Sequence, residues 1–268
     1  MVINTNISSL TAQEASKNTS NSLSSSLEKL SSGLKINKAS DDASGLAIAD
    51  KLRTQVTSID QGVANGNSAV SLLQIADKSM AEQSTILDTI KAKLIQANTD
   101  TTSDDGRTAI AGDIAKLLEQ LTNIGEQTNY NGRQLISGSD GATAASVHTF
   151  QVGEKNTDTI TTGTINANTT GLGLGALSTA ANATLTKTIA AAQQTVVNAA
   201  ISTLNSYRAD IGSTQNQVES AVRNLMTQST NLSAAESVIR DVDYAEESAN
   251  FNKQNIISQA GSYAISQA

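Results

Sequence analysis

Apolar residues recur along this chain in alternating steps of four and three. In the first half Leu52, Val56, Ile59, Val63, Gly66, Val70 and Leu73 keep that walk unbroken. This is the seam of a coiled coil with one small residue in it. The stripe resumes at Met80, Leu87, Ile90, Leu94 and Ala97. After the turn-like TDTTSDDG, a second stripe runs through Ile110, Ile114, Leu117, Leu121 and Ile124. Gly125 weakens its end, and NYNG at Asn129–Gly132 reads as a stop. The last third carries the longest walk: Val197, Ile201, Leu204, Arg208, Ile211, Gln215, Val218, Val222, Leu225, Ser229, Leu232, Glu236 and Ile239. As one helix it would be roughly 64 Å long. Arg208, Gln215, Ser229 and Glu236 sit in the seam at a cost, so some should meet polar groups of another helix.

Between the helical stretches the pattern changes. From Gly138 to Gly175 the chain is rich in Thr, Gly, Asn and Ser, and HTFQVG and DTITTGTI read as short strands of a hairpin. GLGLGALS at Gly171–Ser178 reads as a flexible return, with the helical pattern restarting near Leu185. The expected fold is mainly α. Two long arms from the N- and C-terminal parts pair as an antiparallel helical bundle or coiled coil, with a small β-hairpin region mid-chain. Helices are expected at about 43–100, 106–128 and 186–239, and the hairpin or variable region at about 130–185.

The two ends differ from the arms. Leu23, Leu27, Leu30 and Leu34 make a narrow stripe in a Ser-rich field, and Ile256, Ile257, Ala260 and Ala264 do the same near the other end. Each buries too little apolar surface alone to offset its ordering entropy. They should become helical only when packed on other helices.

Composition narrows the function. The 268 residues contain no Cys, Pro or Trp and only two Phe. The absence of Cys excludes disulfides, thiolate metal sites and a Cys nucleophile, and the absence of Pro leaves long helices unbroken. A net charge of −7 argues against binding a nucleic-acid backbone. No run reaches the roughly 20 apolar residues of a membrane helix, so no membrane partner is expected. MVINTNISSLTAQEAS lacks the basic and apolar regions of a cleaved secretory signal.

Candidate chemistry is sparse. His148 is the only His; it reads as an incidental surface or patch residue, and HExxH or GxSxG arrangements are absent. Asp41-Asp42-Ala-Ser-Gly has neither the alternate spacing nor the final Glu of a calcium loop, and SGLKINKAS is no phosphate loop. The better reading of this stretch is a joint. Asp41 or Asp42 caps a helix starting near Ala43, and Gly33 and Gly45 permit close packing or a bend. We therefore expect no enzyme, no cofactor and no metal. A rod with unsatisfied ends is an assembly subunit, and helically repeated contacts between such ends give a filament.

The residues at both ends resemble bacterial flagellins. LEKLSSGLKI at Leu27–Ile36 and ASDDASGLAI at Ala39–Ile48 are similar to that family's N-terminal signature. NYNGRQLISG at Asn129–Gly138 resembles its FNG turn with Tyr130 for Phe, and IRDVDYAEESAN from Ile239 and QAGSYAISQA at Gln259–Ala268 resemble its C-terminal core. The resemblance implies a structural subunit of the flagellar filament, self-assembling into a helical tube for swimming. Hook-filament junction proteins share the terminal motifs and are the alternative. It implies a terminal core domain from residues 1–42 and 240–268 forming an inner tube, and a rod domain from 43–239. Its implied partners are copies of itself, the flagellar cap and hook-associated proteins, and an export chaperone. Its implied location is extracellular, with export that cleaves no signal peptide. The resemblance also implies an amphipathic tail beyond the Gln-Ala pair with which this sequence stops. The middle region is short and carries little of the family's signal, while the stretch Leu87–Gln96 resembles flagellins of the Campylobacter and Helicobacter group. At the helix face by which many flagellins engage the animal toll-like receptor, Thr89 stands for the usual Arg, Ala92 for Glu and Lys93 for Leu, with Lys91 between. A poor receptor ligand is expected. Ser and Thr of residues 137–180 are candidate O-glycosylation sites.

Overall fold

A computed structural model describes residues 6–137, 146–182 and 185–267. Its elements in order are α1 (Ile7–Ser32), α2 (Ala43–Ala97), α3 (Asp104–Gln127), β1 (Asn129–Tyr130), β2 (Arg133–Gln134), β3 (Thr149–Gln151), β4 (Thr159–Thr161), α4 (Gly175–Ala181), α5 (Lys187–Arg240) and α6 (Tyr244–Gln267). The fold is mainly α, with two small antiparallel hairpins. Polar side chains set the helix limits. Asn6 caps α1 through Ser9 N–H and Ser103 caps α3 through Gly106 N–H. Arg107 reaches back to donate to the carbonyls of Ala97 and Thr99, which closes the C-terminal end of α2.

The chain forms two compact units. One is Ile59–Met226; the other joins the residues up to Ser58 with those from Thr227 onward. The dividing points fall inside α2 and α5, whereas the sequence reading put its boundaries at 42/43 and 239/240.

The Ile59–Met226 unit holds the hydrophobic core. Leu73, Met80, Leu87, Ile90, Leu94, Ile114, Leu121, Leu204 and Ile211 are all essentially inaccessible to solvent, each contributing roughly 1.5–3 kcal/mol by leaving water. Leu135, Ile136, Leu174 and Leu177 close the same core from the loops and α4. A second cluster of Ala69, Val152, Ile160, Val218 and Val222 packs the β3–β4 hairpin on α2 and α5. Hairpin register is Phe150 opposite Ile160. The first hairpin, β1–β2, turns through Asn131 and Gly132 at φ of 52° and 77°. This is the two-residue, left-handed turn that Asn-Gly favours.

Two sequence readings are sharpened. GLGLGALS is not wholly a flexible return, because Gly175–Ala181 is the helix α4, with Leu177 and Ala181 buried. His148 takes the patch position of the two that the sequence left open, and it is buried there. It is 4% exposed, its Nε2 lies 2.9 Å from the carbonyl oxygen of Leu135, and its backbone exchanges hydrogen bonds with Thr162. It ties the hairpin to β2's continuation. Asp243 accepts from the N–H groups of Ala245 and Glu246 and caps α6.

Candidate functional site

The smaller unit joins the two ends of the chain. α1 packs against α6. Where α1 ends, Gly33 adopts φ 75° and donates its N–H to Lys29, the left-handed helix stop that glycine permits. A short antiparallel bridge follows. Lys35 N–H donates to Arg240, and Val242 N–H donates to Gly33. A side chain at position 33 would also meet the Tyr244 hydroxyl at 3.1 Å, so the N-terminal end of α6 sits directly on the end of α1.

The two aspartates divide the work at the connector. Asp42 Oδ1 accepts from Ser44 N–H at 3.0 Å and Gly45 N–H at 2.9 Å, which caps α2. Asp41 Oδ2 accepts from Lys38 N–H at 3.0 Å and Asn37 N–H at 3.1 Å, which closes the loop before the helix. Gly45 is buried, and a Cβ there would strike the Asp42 carboxylate and Ile36. Gly33 and Gly45 thus do different things, one a left-handed stop and the other a contact surface. Lys38 adds an ion pair to Glu28 at 2.5 Å. The Lys38 and Asn37 amides hold the Asp41 carboxyl below its ordinary value. A depressed carboxylate stabilises above its unfolded value and loses that contribution as pH falls through its folded value. We predict that amide exchange at Asn37 and Lys38 accelerates below the ordinary carboxylate range, and that Asp41→Asn abolishes this step. Asp42→Ala should weaken the first turn of α2 by about 1 kcal/mol. Unchanged exchange of the Ser44 and Gly45 amides would contradict it.

The proposed assembly residues occupy this unit, and most face solvent. Leu27, Ile256 and Ile257 are 56%, 67% and 43% exposed. Ala260 and Ala264 are exposed as well, while Leu23, Leu30 and Leu34 are half-buried. The sequence reading missed Ile7, Leu10, Val238, Tyr244 and Tyr263, which are also large and exposed. Tyr263 stands in the same Ala-rich stretch as Ala260 and Ala264, and Ile7 opens α1; a search for apolar residues in Ser-rich surroundings would have found both. Among the described residues of this unit, Ile36 and Ala49 are the only buried apolar side chains. Helices with so little core leave a broad apolar surface unpartnered.

The seam residues divide between the units. Ile59, Leu73, Leu204, Ile211, Val218 and Val222 are buried; Val63, Val70, Ile201 and Leu225 pack against the clusters from partly covered positions. Leu52, Val56, Leu232 and Ile239, in the smaller unit, are half-buried. Of the polar seam residues, Arg208 meets another helix, with Nε 2.9 Å from Asp77 Oδ1 of α2. Gln215 bonds to Glu219 on its own helix, and Glu236 lies 3.8 Å from Arg240.

At the receptor-matching face, Thr89 and Ala92 are exposed. The Thr89 hydroxyl donates to Thr85 of its own helix, and Lys91 is half-buried. Lys93 pairs with Asp113 of α3 at 2.7 Å. Among the described residues no cluster of three acidic or His side chains could hold a metal, and no helix is long and apolar enough to cross a membrane.

Helices from opposite ends of the chain pair around almost no core, leave an apolar surface exposed and meet at a glycine-and-aspartate joint. The chain belongs to the bacterial flagellin family. Residues 3–141 match the bacterial flagellin N-terminal helical region and residues 194–268 the C-terminal helical region. It is 35% identical to Bacillus subtilis flagellin over 292 aligned positions, covering 100% of this chain and 96% of that one. It is 49% identical to flagellin B of Helicobacter pylori over 158 residues, which is 59% of this chain and 30% of that protein. The fold matches Bacillus cereus flagellin with a TM-score of 0.50 at 25% identity, over 65% of this chain and 94% of that one. A Vibrio parahaemolyticus protein assigned to the flagellar hook-associated class matches with a TM-score of 0.62 at 12% identity, over 75% of this chain and 99% of that one. That last likeness is one of fold alone.

Proposed function

We propose that this protein is a structural subunit of a bacterial flagellar filament, built into a helical tube through the exposed apolar faces of α1 and α6. The observation that carries this reading is the smaller unit itself, which orders two helices around almost no core and leaves Leu27, Ile256 and Tyr263 in solvent. Residues 1–42 and 240–268 would line the inner tube and 43–239 the surrounding layer. The Gly33–Gly45 connector and the seam residues would hold those layers. A hook-filament junction protein is the rival reading, since the Vibrio hook-associated protein shares the fold. The two matched family regions and the full-length similarity to Bacillus flagellin support the filament subunit over that rival, and over an enzyme. Deleting the gene and imaging the cells by electron microscopy tests the reading. Loss of the filament is expected, and normal filaments in a strain without a second flagellin would overturn it.

Its partners would be further copies of the chain, the cap and hook-associated proteins, and an export chaperone. Its location would be outside the cell, reached without a cleaved signal. Thr89 and Ala92 offer neither the charge nor the paired hydrogen bonds that Arg and Glu supply. We predict weak activation of the toll-like receptor, so full potency in a reporter-cell assay would count against this. Glycosylation within 137–180, a stretch partly outside the described residues, is expected as excess intact mass on protein from its native cell. A mass equal to the sequence mass would refute it.

A further inference from the structure

The chain contains two Asn-Gly pairs, and the fold treats them oppositely. Asn65-Gly66 lies inside α2. Gly66 is buried, and a Cβ there would strike Val222; the Asn65 amide donates to the Gln151 carbonyl at 3.1 Å and accepts from Gln61 at 3.0 Å. Asn131-Gly132 forms the tip of the β1–β2 hairpin. Both residues are exposed, both have positive φ, and nothing lies within 4 Å of where a Cβ on Gly132 would stand. Each flanking strand is two residues long, so few backbone bonds hold the turn and local opening costs little.

We infer that Asn131 is a site of spontaneous covalent modification, converting to aspartate and isoaspartate through a cyclic imide. The deprotonated backbone nitrogen of Gly132 attacks Cγ of Asn131. The Cγ–Nδ2 bond breaks, and the nitrogen leaves as ammonia after taking protons from water. Water then adds to either carbonyl of the five-membered imide. Opening at one side gives Asp; opening at the other gives isoaspartate, with an extra methylene in the main chain. No oxidant or cofactor takes part. Glycine at 132 is what admits the step, because no side chain shields its nitrogen. At Gly66 the same nitrogen is fixed by the helix and walled by Val222, and the Asn65 amide is engaged at both ends.

The product matters to the core. Leu135 and Ile136 follow β2, two residues past the turn, and are fully buried. Leu135 N–H donates to Thr128 across the hairpin, and the Ile136 carbonyl accepts from Ala167. An isoaspartate at 131 lengthens the turn by one bond beside these anchors. Either product adds a negative charge to a chain already at −7.

The test incubates the full folded chain in mildly alkaline buffer made with heavy-oxygen water, then maps label by peptide mass spectrometry and isoaspartyl methyltransferase. Label at 131 should exceed that at 65 by at least about tenfold, the ratio imposed by an opening cost of about 1.4 kcal/mol in α2. In denaturant the two sites should converge. Asn131→Gly, which keeps a turn tolerant of positive φ, should remove the label from that peptide alone. Equal labelling in the folded chain, or a folded chain inert at 131 while the denatured chain reacts, would overturn the inference.

Discussion

Replacing Gly66 by leucine should lower the melting temperature of the Ile59–Met226 unit by roughly 6–12 °C, the shift that about 3 kcal/mol produces in a chain of this size. Gly66 faces Val222 so closely that even a Cβ would overlap its Cγ2 atom, and Val222 belongs to a cluster of buried apolar residues. Gly66→Ala sets two effects against each other. Alanine gains about 1 kcal/mol of helix propensity over glycine, while the overlap costs about 1–3 kcal/mol. The net should be a small loss. Adding Val222→Ala should recover the propensity gain, so the two changes are coupled and not additive. Calorimetry on the four chains decides this. A Gly66→Leu protein melting with the parent would show that α2 and α5 do not meet there.

The second large effect falls on assembly and spares the fold. With Leu27→Glu and Ile256→Glu together, the critical concentration for polymerisation should rise roughly 30- to 1,000-fold. The two side chains keep more than half of their area in solvent, so covering them is worth roughly 2–4 kcal/mol, and about 1.4 kcal/mol is tenfold. Carboxylates forced into that contact add a desolvation penalty. The melting of the Ile59–Met226 unit should not move, since neither residue touches its core. Sedimentation of seeded filaments measures the first quantity and calorimetry the second. Polymerisation at the parent concentration would remove α1 and α6 from the interface.

The arms were legible in the sequence for a physical reason. A long helix buried along one side must repeat its apolar residues with the helical period, and α2 and α5 do so through Leu73 and Leu204 to Val222. The small seam residue at Gly66 showed in the same walk. The connector was legible in outline, because Asp next to a helix start and glycine next to a helix end have few other uses. Which aspartate caps and which closes the loop was not, since both stand within reach of free amides. α4 is two turns long and carries no period. His148 owes its burial to the carbonyl of Leu135, and Gln83 is buried because its amide donates to the carbonyls of Leu121 and Ala167. Such ties join segments far apart in the chain, and no local pattern announces them. The exposed residues of α1 and α6 were the hardest to weigh. Apolar residues are expected to be covered, and only the fold shows that one chain leaves them bare.

The bridge between Leu34 and Asp241 has a consequence in time. It joins segments separated by most of the chain, and contacts of that separation form late because loop closure must come first. α1 without α6 has nothing to pack on, and α6 without α1 has lost its neighbour at Gly33 and Tyr244. A partly made or clipped chain therefore lacks the paired face altogether. The α1–α6 face is therefore a late-forming surface, made only once both helices of the pair are present.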